Sequence, residues 1–466
     1  MQHTDDIIFA PSTGGGGAIS IVRISGPGCL EMLDGVVQLR RGSVSSAPGF
    51  SLRFGVIPEL DEVLVSVFRA PHSYTGEDMA EISCHASSYI VSQLLERIGA
   101  AGARLAEPGE FTRRSFLNGK MDLAQAEAVA DLISSSSSAQ HRVALNQLRG
   151  GYSAELATIR AELLELTSLL ELELDFSEED VEFADRGRLS ELLESAITRC
   201  TALAESFRVG NAVRNGVPVA IIGAPNSGKS TLLNALLKDD RAIVSDIPGT
   251  TRDTVEETCV IDGVLFRFID TAGLRDATDE IERLGIERTH RKTAQADIVL
   301  GVIDAVEQCS ATEFERATLS IASMVDSERQ KLLILANKAD LRARNKNVKE
   351  LNTFVSSAEI EGVRFNILPI SAKTGLGLDK LRSELVSASG ISSASNTLVT
   401  NARHAAALRA TSEALCAVRS GLSSGLPSDL LAEDLRAALS TLGTITGAIT
   451  TGEVLSEIFS KFCIGK

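Results

Sequence analysis

The sequence predicts a multidomain protein: an N-terminal α+β domain, followed by an all-α domain that is interrupted by an inserted α/β domain. Up to about residue 118, short β-type runs alternate with turns rich in Gly and Pro. Apolar residues then recur at helical spacing to about residue 208, and again from about residue 402. Between these helical parts, short apolar strands alternate with helical stretches. We therefore set the domains at 1–118, 119–215, 216–382 and 383–466, the second and fourth forming one all-α domain.

In the first domain, strands are predicted at Ala18–Ile24 and Glu62–Phe68. The helical domain is indicated by a periodic apolar set: Leu189, Leu192, Leu193, Ala196, Cys200 and Leu203. A serine run, Ser134–Ser138, is flanked by helix formers and is expected to be an exposed helix turn. The Ser-rich segment Ser387–Ser395 is expected to be a linker.

The inserted domain is indicated by five short apolar runs, each followed by a helical stretch or a loop. They are Val217–Ile222, Leu265–Ile269, Ile298–Ile303, Leu332–Ala336 and Asn366–Ile370. This alternation is the pattern of a doubly wound, mostly parallel sheet.

Composition limits the classes of function. The chain has 466 residues, 44% of them hydrophobic, and a formal net charge of −16, which argues against nucleic-acid binding through a diffuse basic surface. No apolar run approaches the ~18 residues of a membrane-spanning helix. Seven cysteines are scattered without paired or metal-type spacing, which suits a reducing compartment. We expect a cytoplasmic protein without a membrane partner, most of whose cysteines are small buried hydrophobic residues.

The first motif with specific chemistry is Gly-Ala-Pro-Asn-Ser-Gly-Lys-Ser at residues 223–230. It follows one predicted strand and opens a helix, the context of a phosphate-binding loop. Backbone N–H groups would face the phosphates, Lys229 would reach the β and γ oxygens, and Ser230 would bind Mg²⁺.

Three further motifs follow in order. Asp270-Thr-Ala-Gly273 ends a strand, where an acidic residue can hold the water shell of the metal and a glycine N–H can sense the γ-phosphate. Asn337-Lys-Ala-Asp340 offers a carboxylate that can accept two hydrogen bonds from guanine, and Ser371-Ala-Lys373 completes a base pocket. Adenine lacks that pair of donors, so an unpaired buried carboxylate would penalise ATP. The order and spacing are similar to those of Ras-like GTPases and predict a GTP hydrolase.

A segment between the first two motifs, residues 245–253, lies where such GTPases keep their first switch, and Thr251 is its expected Mg²⁺ ligand. The residues expected to contact the nucleotide are Asn226, Ser227, Gly228, Lys229, Ser230, Thr231, Ser245, Asp246, Ile247, Pro248, Gly249, Thr250, Thr251, Asp270, Thr271, Ala272, Gly273, Asn337, Lys338, Asp340, Ser371, Ala372 and Lys373.

The residue after Gly273 is Leu274, where Ras uses a glutamine to orient the attacking water. Leucine neither donates nor accepts a hydrogen bond, so another group must handle the water. Asn226 suggests a solution, since its side-chain oxygen beside the phosphates can help to bind a monovalent cation. The alternative, that Asn226 is an ordinary turn residue, stays open at this point.

Five segments along the chain together resemble the MnmE or TrmE family of tRNA-modifying GTPases. They are Val-Arg-Ile-Ser-Gly at 22–26, Ser-Tyr-Thr-Gly-Glu-Asp at 73–78, Ala-Glu-Pro-Gly-Glu-Phe-Thr-Arg-Arg at 106–114, Asn-Gly-Lys-Met-Asp-Leu at 118–123 and Phe-Cys-Ile-Gly-Lys at 462–466. The resemblance implies an N-terminal folate-binding and dimerising domain and an inserted potassium-activated GTPase. It also implies a homodimer that forms a heterotetramer with an FAD-dependent partner, MnmG. Together they would install an aminomethyl-type or carboxymethylaminomethyl-type group on carbon 5 of the wobble uridine of certain tRNAs.

The resemblance also implies roles for single residues. Mg²⁺ would be held by Ser230 and Thr251, and K⁺ by the side chain of Asn226 with the carbonyls of Ser245, Ile247 and Thr250. Glu282 would orient the attacking water through a second water. A one-carbon tetrahydrofolate would contact Arg23, Glu81, Lys120 and Lys466. Taken singly, a basic residue such as Arg23, Lys120 or Lys466 is more often a solvated surface group.

The terminal segment contains Cys463, which resembles a cysteine that the family needs for modification. The neighbouring Lys461 and Lys466 would favour its thiolate, which gives this catalytic role a physical basis. An unreactive terminal thiol is the alternative.

A second function class is a GTP-gated assembly or scaffold protein, for example in ribosome assembly, that catalyses nothing beyond hydrolysis. The acidic chain disfavours it, because a ribosome binder usually carries a basic RNA module. A membrane-remodelling GTPase is less favoured, since the sequence has neither a basic amphipathic helix nor an apolar anchor.

Overall fold

The computed structural model describes residues 6–14, 16–175, 186–239, 257–269, 293–307, 310–344, 358–360, 363–391, 397–460, 462 and 465. The chain divides into two compact units. The first contains Met1–Ala130, Gln147–Leu189 and Ala417–Lys466, and the second Asp131–Asn146 and Ser190–Cys416. The predicted inserted domain lies within the second unit. The four-part division into domains stays a prediction.

A seven-stranded sheet forms the centre of the first unit. Its strands are β1 (Ile8–Pro11), β2 (Ile19–Ser25), β3 (Gln38–Leu39), β4 (Ser51–Ile57), β5 (Asp61–Phe68), β6 (Met79–His85) and β7 (Arg104–Leu105). They lie in the order β3-β4-β5-β6-β2-β1-β7, and only the β1–β7 pair is parallel. The two strands predicted in this region are confirmed as β2 and β5, each displaced by a single residue at one or both ends.

Helices α1 (Cys29–Leu33) and α2 (Ser88–Ala100) cover one face of this sheet. Leu94 and Ile98 of α2 join Val22 and Ile24 of β2 in one buried cluster. On β4, the alternation of a strand turns Leu52, Phe54 and Val56 to the opposite face, where they are exposed. We call this the exposed β4 face.

The helices of the first unit include α3 (Glu110–Leu117), most of α4 (Leu123–Ser134), α6 (Gly151–Asp175), α13 (Ser428–Thr446) and α14 (Gly452–Ser460). Arg114 of α3 is 2% exposed and is surrounded by carboxylates, with ion pairs to Asp6, Glu77 and Glu110. This buried network joins the N-terminal strand region, α3 and the 73–78 motif.

A six-stranded sheet forms the centre of the second unit. Its strands are β8 (Val217–Ile222), β9 (Glu257–Ile261), β10 (Val264–Phe268), β11 (Ile298–Asp304), β12 (Lys331–Asn337) and β15 (Ile367–Pro369), in the order β15-β12-β11-β8-β10-β9. All neighbours are parallel except the edge hairpin β9–β10. A separate two-stranded ribbon contains β13 (Ala358–Ile360) and β14 (Val363–Phe365). The predicted doubly wound parallel sheet is confirmed.

Helices cover both faces of this sheet, as the buried strands require. Helices α8 (Lys229–Asp239) and α11 (Leu378–Ser389) lie on one face and α9 (Ala311–Ala322) lies on the other. The second unit also contains α10 (Ala339–Arg344) and most or part of α5 (Ser138–Leu148), α7 (Arg186–Asn215) and α12 (Ala402–Ser424). Val219 and Leu300 pack into the cluster formed with α8 and α11, whereas Ala220 and Val299 face the cluster that contains Phe314 of α9.

The serine run does not form a turn within one helix. Ser134 ends α4 and Ser138 begins α5, while Ser137 between them is buried. The N–H of Ala139 donates to the carbonyl of Gly263 in the β9–β10 turn, 3.1 Å away. The prediction of an exposed helix turn is wrong because the run separates two helices and contacts that turn.

Two composition-based expectations can be compared with the described residues. Four cysteines are buried, namely Cys29, Cys84, Cys200 and Cys259, and Cys416 is half-buried. Among the helices that the structure describes, none has the length and apolar character needed to cross a bilayer.

Candidate functional site

The predicted phosphate loop joins the carboxyl end of β8 to the first turn of α8, and the start of a helix is a favourable place to bind an anion. Glycine is required at both ends of the loop. A Cβ on Gly223 would lie 2.2 Å from the carbonyl oxygen of Val302, and one on Gly228 would lie 2.2 Å from Nδ2 of Asn337. Both glycines also have positive φ angles. The sequence motif therefore reflects close backbone packing as well as ligand chemistry.

The polar groups of the loop are arranged around its own backbone. The ammonium of Lys229 donates to the carbonyls of Gly223 and Ala224 at 3.0 and 2.7 Å, so its charge lies across the loop. The hydroxyl of Ser227 is buried and has no hydrogen-bond partner in the part of the chain that the structure describes. A buried donor without a partner is costly in a folded protein unless a ligand satisfies it. The loop thus supplies a cation and a free donor, which fits an anionic ligand.

Asn337, at the end of β12, joins three of the predicted motifs. Its side chain is buried; Nδ2 donates to the carbonyl of Ser227 at 2.8 Å, and Oδ1 accepts from the N–H of Ala372 at 3.0 Å. The phosphate loop, the 337–340 motif and the 371–373 motif are therefore held together by one amide. Because β8, β11 and β12 are parallel, their carboxyl ends share one edge of the sheet, as expected for a ligand site in this fold.

The remaining described residues of the predicted site lie on the same loops. Asp340 is half-buried in the first turn of α10, whose Ala339 N–H donates to the carbonyl of Ile370 at 3.0 Å. Ser371 is buried, while Lys373 is exposed. The site's other described members are the half-buried Lys338 and Ser230 and the exposed Asn226 and Thr231.

Several predicted residues lie outside the described residues. They are Ser245, Asp246, Ile247, Pro248, Gly249, Thr250, Thr251, Asp270, Thr271, Ala272, Gly273, Glu282, Cys463 and Lys466. Their roles stay predictions. Within the described ranges, no group of three or more His, Cys, Asp or Glu side chains is placed to hold a metal ion.

One residue of this edge was missed by the sequence reasoning. Asp304 ends β11 directly opposite Asn337 on β12, and its carboxylate forms an ion pair with Lys338. Burial opposes ionisation of Asp304, but the hydrogen bonds from Lys338 and from the N–H groups of Val306 and Glu307 outweigh it and lower the pKa of this carboxyl. The sequence signal that could have identified Asp304 is its position, since it is the only charged residue of β11 and ends this otherwise apolar strand.

A second candidate site is a cavity of about 410 Å³ in the first unit, called the second cavity below. It is lined by three of the four residues predicted to bind folate. Arg23, Glu81 and Lys120 line it together with aromatic side chains, those of Phe50, Phe68 and Tyr74. Its volume falls in the range of small-molecule sites, roughly 300–1,000 Å³.

Arg23 organises this cavity. It lies opposite Glu81 in the register of β2 and β6, and the two side chains form an ion pair of 2.8 Å. The guanidinium carbon lies 5.2 Å from the ring centre of Tyr74 and 5.6 Å from that of Phe111, within the range of cation–π contacts. Arg23 also reaches the carbonyl of Gly465 at 3.5 Å, so the described part of the terminal motif adjoins the cavity. Lys120 donates to the carbonyl of Pro71 at 2.9 Å.

Comparison with known proteins gives consistent matches over almost the whole chain. Residues 7–120 match the family model described as the GTP-binding protein TrmE N-terminus, and residues 123–463 match the MnmE helical domain. A protein of Bacteroides fragilis named tRNA modification GTPase MnmE is 48% identical over 99% of both chains. A protein of the same name from Christiangramia forsetii is 46% identical over 100% of both. Among solved structures, the G domain of the T. maritima FeoB iron transporter matches 37% of this chain and 98% of its own, with 25% identity and a TM-score of 0.25.

Proposed function

The chain belongs to the MnmE family of tRNA modification GTPases, and from that premise we propose that it is a potassium-activated GTPase that modifies the wobble uridine of certain tRNAs. It is a GTP hydrolase that acts in tRNA modification. The proposed reaction adds an aminomethyl-type or carboxymethylaminomethyl-type group to carbon 5 of the uridine, in the cytoplasm and together with an FAD-dependent MnmG partner. The comparisons favour this function over the assembly or scaffold alternative, and no contact in the described residues favours that alternative.

The observation that carries the hydrolase part is the pair of hydrogen bonds made by Asn337. A phosphate loop alone does not select a base. The amide of Asn337 links that loop to the segments that contain Asp340 and Ala372, so phosphate and base sites are built on one connected framework. Asp340 would then accept two hydrogen bonds from guanine, which gives selectivity against adenine.

The residues present fit the metal ions that the family implies. Ser230 offers a hydroxyl in the first turn of α8, and Thr251 is its proposed co-ligand for Mg²⁺. Mg²⁺ supplies neutralisation of the charge that develops on the phosphates. Asn226 is exposed at the tip of the phosphate loop with φ 59°, so its neutral amide oxygen is available to a monovalent cation. The carbonyls of Ser245, Ile247 and Thr250 are its proposed co-ligands for K⁺.

The proposed catalytic residue for hydrolysis is Glu282, which orients the attacking water. Ras uses a glutamine for this task, and this chain has Leu274 at the corresponding position. Lys229 contributes a fixed positive charge next to the loop carbonyls. Neither role requires an arginine from another protein.

The second cavity supports a one-carbon tetrahydrofolate as the source of the carbon added to the uridine. Tyr74, Phe50 and Phe68 offer aromatic surface to a flat ring, and Lys120 offers a cation to a carboxylate. Arg23 and Glu81 offer a donor and an acceptor that already orient each other. Lys466 and Cys463 belong to the same proposal, with Cys463 assigned to the modification chemistry.

The exposed β4 face supports the proposed homodimer. Leu52 is 61% exposed, and Phe54 and Val56 are also exposed large apolar residues, as is Leu64 of the neighbouring β5. In the register of β4 and β5, Phe54 lies opposite Leu64, so these side chains share one surface. A contiguous apolar patch of this kind is typical of an interface.

The cation part of the proposal is tested by measuring GTP hydrolysis in K⁺ and in Na⁺ at equal ionic strength. We expect hydrolysis several times faster in K⁺, with the difference lost in Asn226→Ala and retained in a control, Asn215→Ala, which changes an exposed asparagine of the same unit. Glu282→Ala should bind GTP but not turn it over. Equal rates in both salts for the unchanged protein would refute the cation model.

The folate part is tested by titrating the protein with a tetrahydrofolate. Lys120 is exposed, so Lys120→Ala should weaken binding without unfolding the protein. Unchanged affinity in that variant would remove Lys120 from the proposed site.

A further inference from the structure

The carboxylate of Asp304 has no role in the function proposed above, yet it is a buried charge at the nucleotide edge of the sheet. The residue is 6% exposed and lies opposite Asn337 in the parallel register of β11 and β12. The next residue, Ala305, donates its N–H to the carbonyl of Asn337 at 3.0 Å. The end of β11 is therefore a fixed neighbour of the base-binding motif.

Each oxygen of this carboxylate has a separate task. Oδ1 accepts from the N–H groups of Val306 and Glu307 at 2.9 and 3.3 Å, which locks the side chain to its own turn. Oδ2 accepts from the ammonium of Lys338. The hydrogen bonds from the turn to Oδ1 thus hold the carboxylate in an orientation that presents Oδ2 to Lys338.

Lys338 is the member of the base motif that most needs such support. Its backbone has φ 64°, in the left-handed region that side-chain-bearing residues rarely adopt. Its side chain is one-third exposed, and a free lysine side chain samples many rotamers. It lies between Asn337, which ties the loops together, and Asp340, the proposed guanine acceptor. An unrestrained Lys338 would therefore disturb the geometry on both sides of it.

We propose that Asp304 is a positioning residue for the guanine nucleotide: its carboxylate fixes Lys338 so that the 337–340 segment is preorganised to receive the base. The inference rests on the proposed role of this segment as the base site. Preorganisation of a binding segment lowers the ordering cost that the ligand must otherwise meet.

The proposal fixes which kinetic constants change. GDP and GTP carry the same base, so loss of the Asp304–Lys338 pair should weaken both by the same factor. A charge-assisted contact of this kind corresponds to about a tenfold rise in Kd, mostly through faster dissociation. The γ-phosphate chemistry is not touched, so kcat at saturating GTP should stay unchanged while KM rises.

The test is a double-mutant cycle in the full-length chain with Asp304→Asn, Lys338→Met and both together. Asparagine keeps the Oδ1 acceptor for Val306 and Glu307, removes the charge, and replaces Oδ2, the acceptor for Lys338, by an NH2 donor. We expect about tenfold weaker binding of fluorescent GDP and GTP in each single variant, and no further loss in the double variant. The matched control is Asp379→Asn, which removes an exposed carboxylate paired with Arg382 and should leave Kd unchanged.

Unchanged affinity in Asp304→Asn would overturn the proposal, and so would losses that add in the double variant, because Asp304 would then act other than through Lys338. A merely structural role would lower the melting temperature while leaving the Kd of the folded protein unchanged. If Asp304→Asn does not fold, Asp304→Glu takes its place in the cycle, since it keeps the charge but moves it by one methylene. The loss of nucleotide affinity in Asp304→Glu must then also fail to add to the loss in Lys338→Met.

Asp340→Asn separates this inference from the function on which it rests. If that variant binds GTP as well as the unchanged protein does, the proposed base site itself is wrong. If it loses GTP while Asp304→Asn binds normally, the base site stands and only the role of Asp304 is refuted.

Discussion

Replacing Asn337 by alanine tests the framework that joins the phosphate loop to the base segments. The change removes a buried amide that donates to Ser227 and accepts from Ala372. Asn337 is 2% exposed, so water does not readily take the place of either contact. The carbonyl of Ser227 and the N–H of Ala372 are left without these partners.

The cost follows from those two groups. A buried polar group that loses its partner destabilises a protein by about 1–3 kcal/mol, so two such groups correspond to about 2–6 kcal/mol. Loosening of the loops should also weaken GDP, because phosphate and base segments would no longer share a fixed spacing. The loss of stability and the weaker GDP binding both arise from contacts within the second unit, which contains Ser227, Asn337 and Ala372.

The assay has two parts: urea unfolding of the nucleotide-free protein followed by far-UV circular dichroism, and GDP binding measured at a temperature at which the variant is folded. The control is Asn215→Ala, which removes an exposed amide hydrogen-bonded to Asn211 and should change stability by less than about 0.5 kcal/mol. If Asn337→Ala matched that control in both stability and GDP affinity, the reasoning that gives Asn337 a central role would be refuted.

Three further predictions concern the fold. Gly263→Ala places a Cβ 2.1 Å from Oγ of Ser138, the first residue of α5, and Gly263 has a φ angle of 80°. The variant should therefore have a lower melting temperature than Gly390→Ala, because Gly390 also has a positive φ angle but no atom lies within 4 Å of the added Cβ. Equal melting temperatures in the two variants would contradict the importance of the Gly263–Ser138 contact. Arg114→Met removes the buried guanidinium that pairs with Glu77, Asp6 and Glu110, and of these carboxylates Asp6 and Glu110 keep Arg104 as a partner. The change should cost about 3–5 kcal/mol in urea unfolding, against about 0–1 kcal/mol for Arg436→Met, which removes an exposed pair with Glu171. Similar losses in the two variants would contradict the structural importance of the buried pairs. Burial would raise the pKa of Glu110, but the hydrogen bonds from Arg104 and from the N–H of Glu107 lower it below the ordinary value of a glutamate. The ionised Glu110 therefore stabilises the fold at pH values above its unfolded pKa, and this stabilisation is lost as the pH falls through the folded pKa. Glu110→Gln should flatten this part of the acid-unfolding curve, and an unchanged curve would contradict the role of Glu110.

The sequence was most informative where one strand or one motif decides the structure. Val217–Ile222 was predicted with the bounds that the structure gives to β8, because a six-residue apolar run that ends at the glycine of a phosphate-loop motif favours a buried strand entering a loop. The edge strand β9 was missed, since Glu257–Ile261 is short and begins with two polar residues, and within the described ranges it pairs with its hairpin neighbour β10 alone. Edge strands carry a weaker apolar signal than central ones.

Contacts between distant segments could not be derived from the sequence. Asp304 and Lys338 lie 34 residues apart, and only the parallel register of β11 and β12 makes them neighbours. The same holds for Arg23 and Glu81, which the resemblance placed in one site without showing that they form an ion pair.

The central claim, that this GTP hydrolase acts in wobble-uridine modification, is tested most directly by nucleoside analysis of tRNA. A strain that lacks this protein should lose the modified wobble uridine. The unchanged chain should restore it, whereas Lys229→Ala, which removes the cation of the phosphate loop, should not. Unaltered wobble uridines in the strain without the protein would contradict the claim.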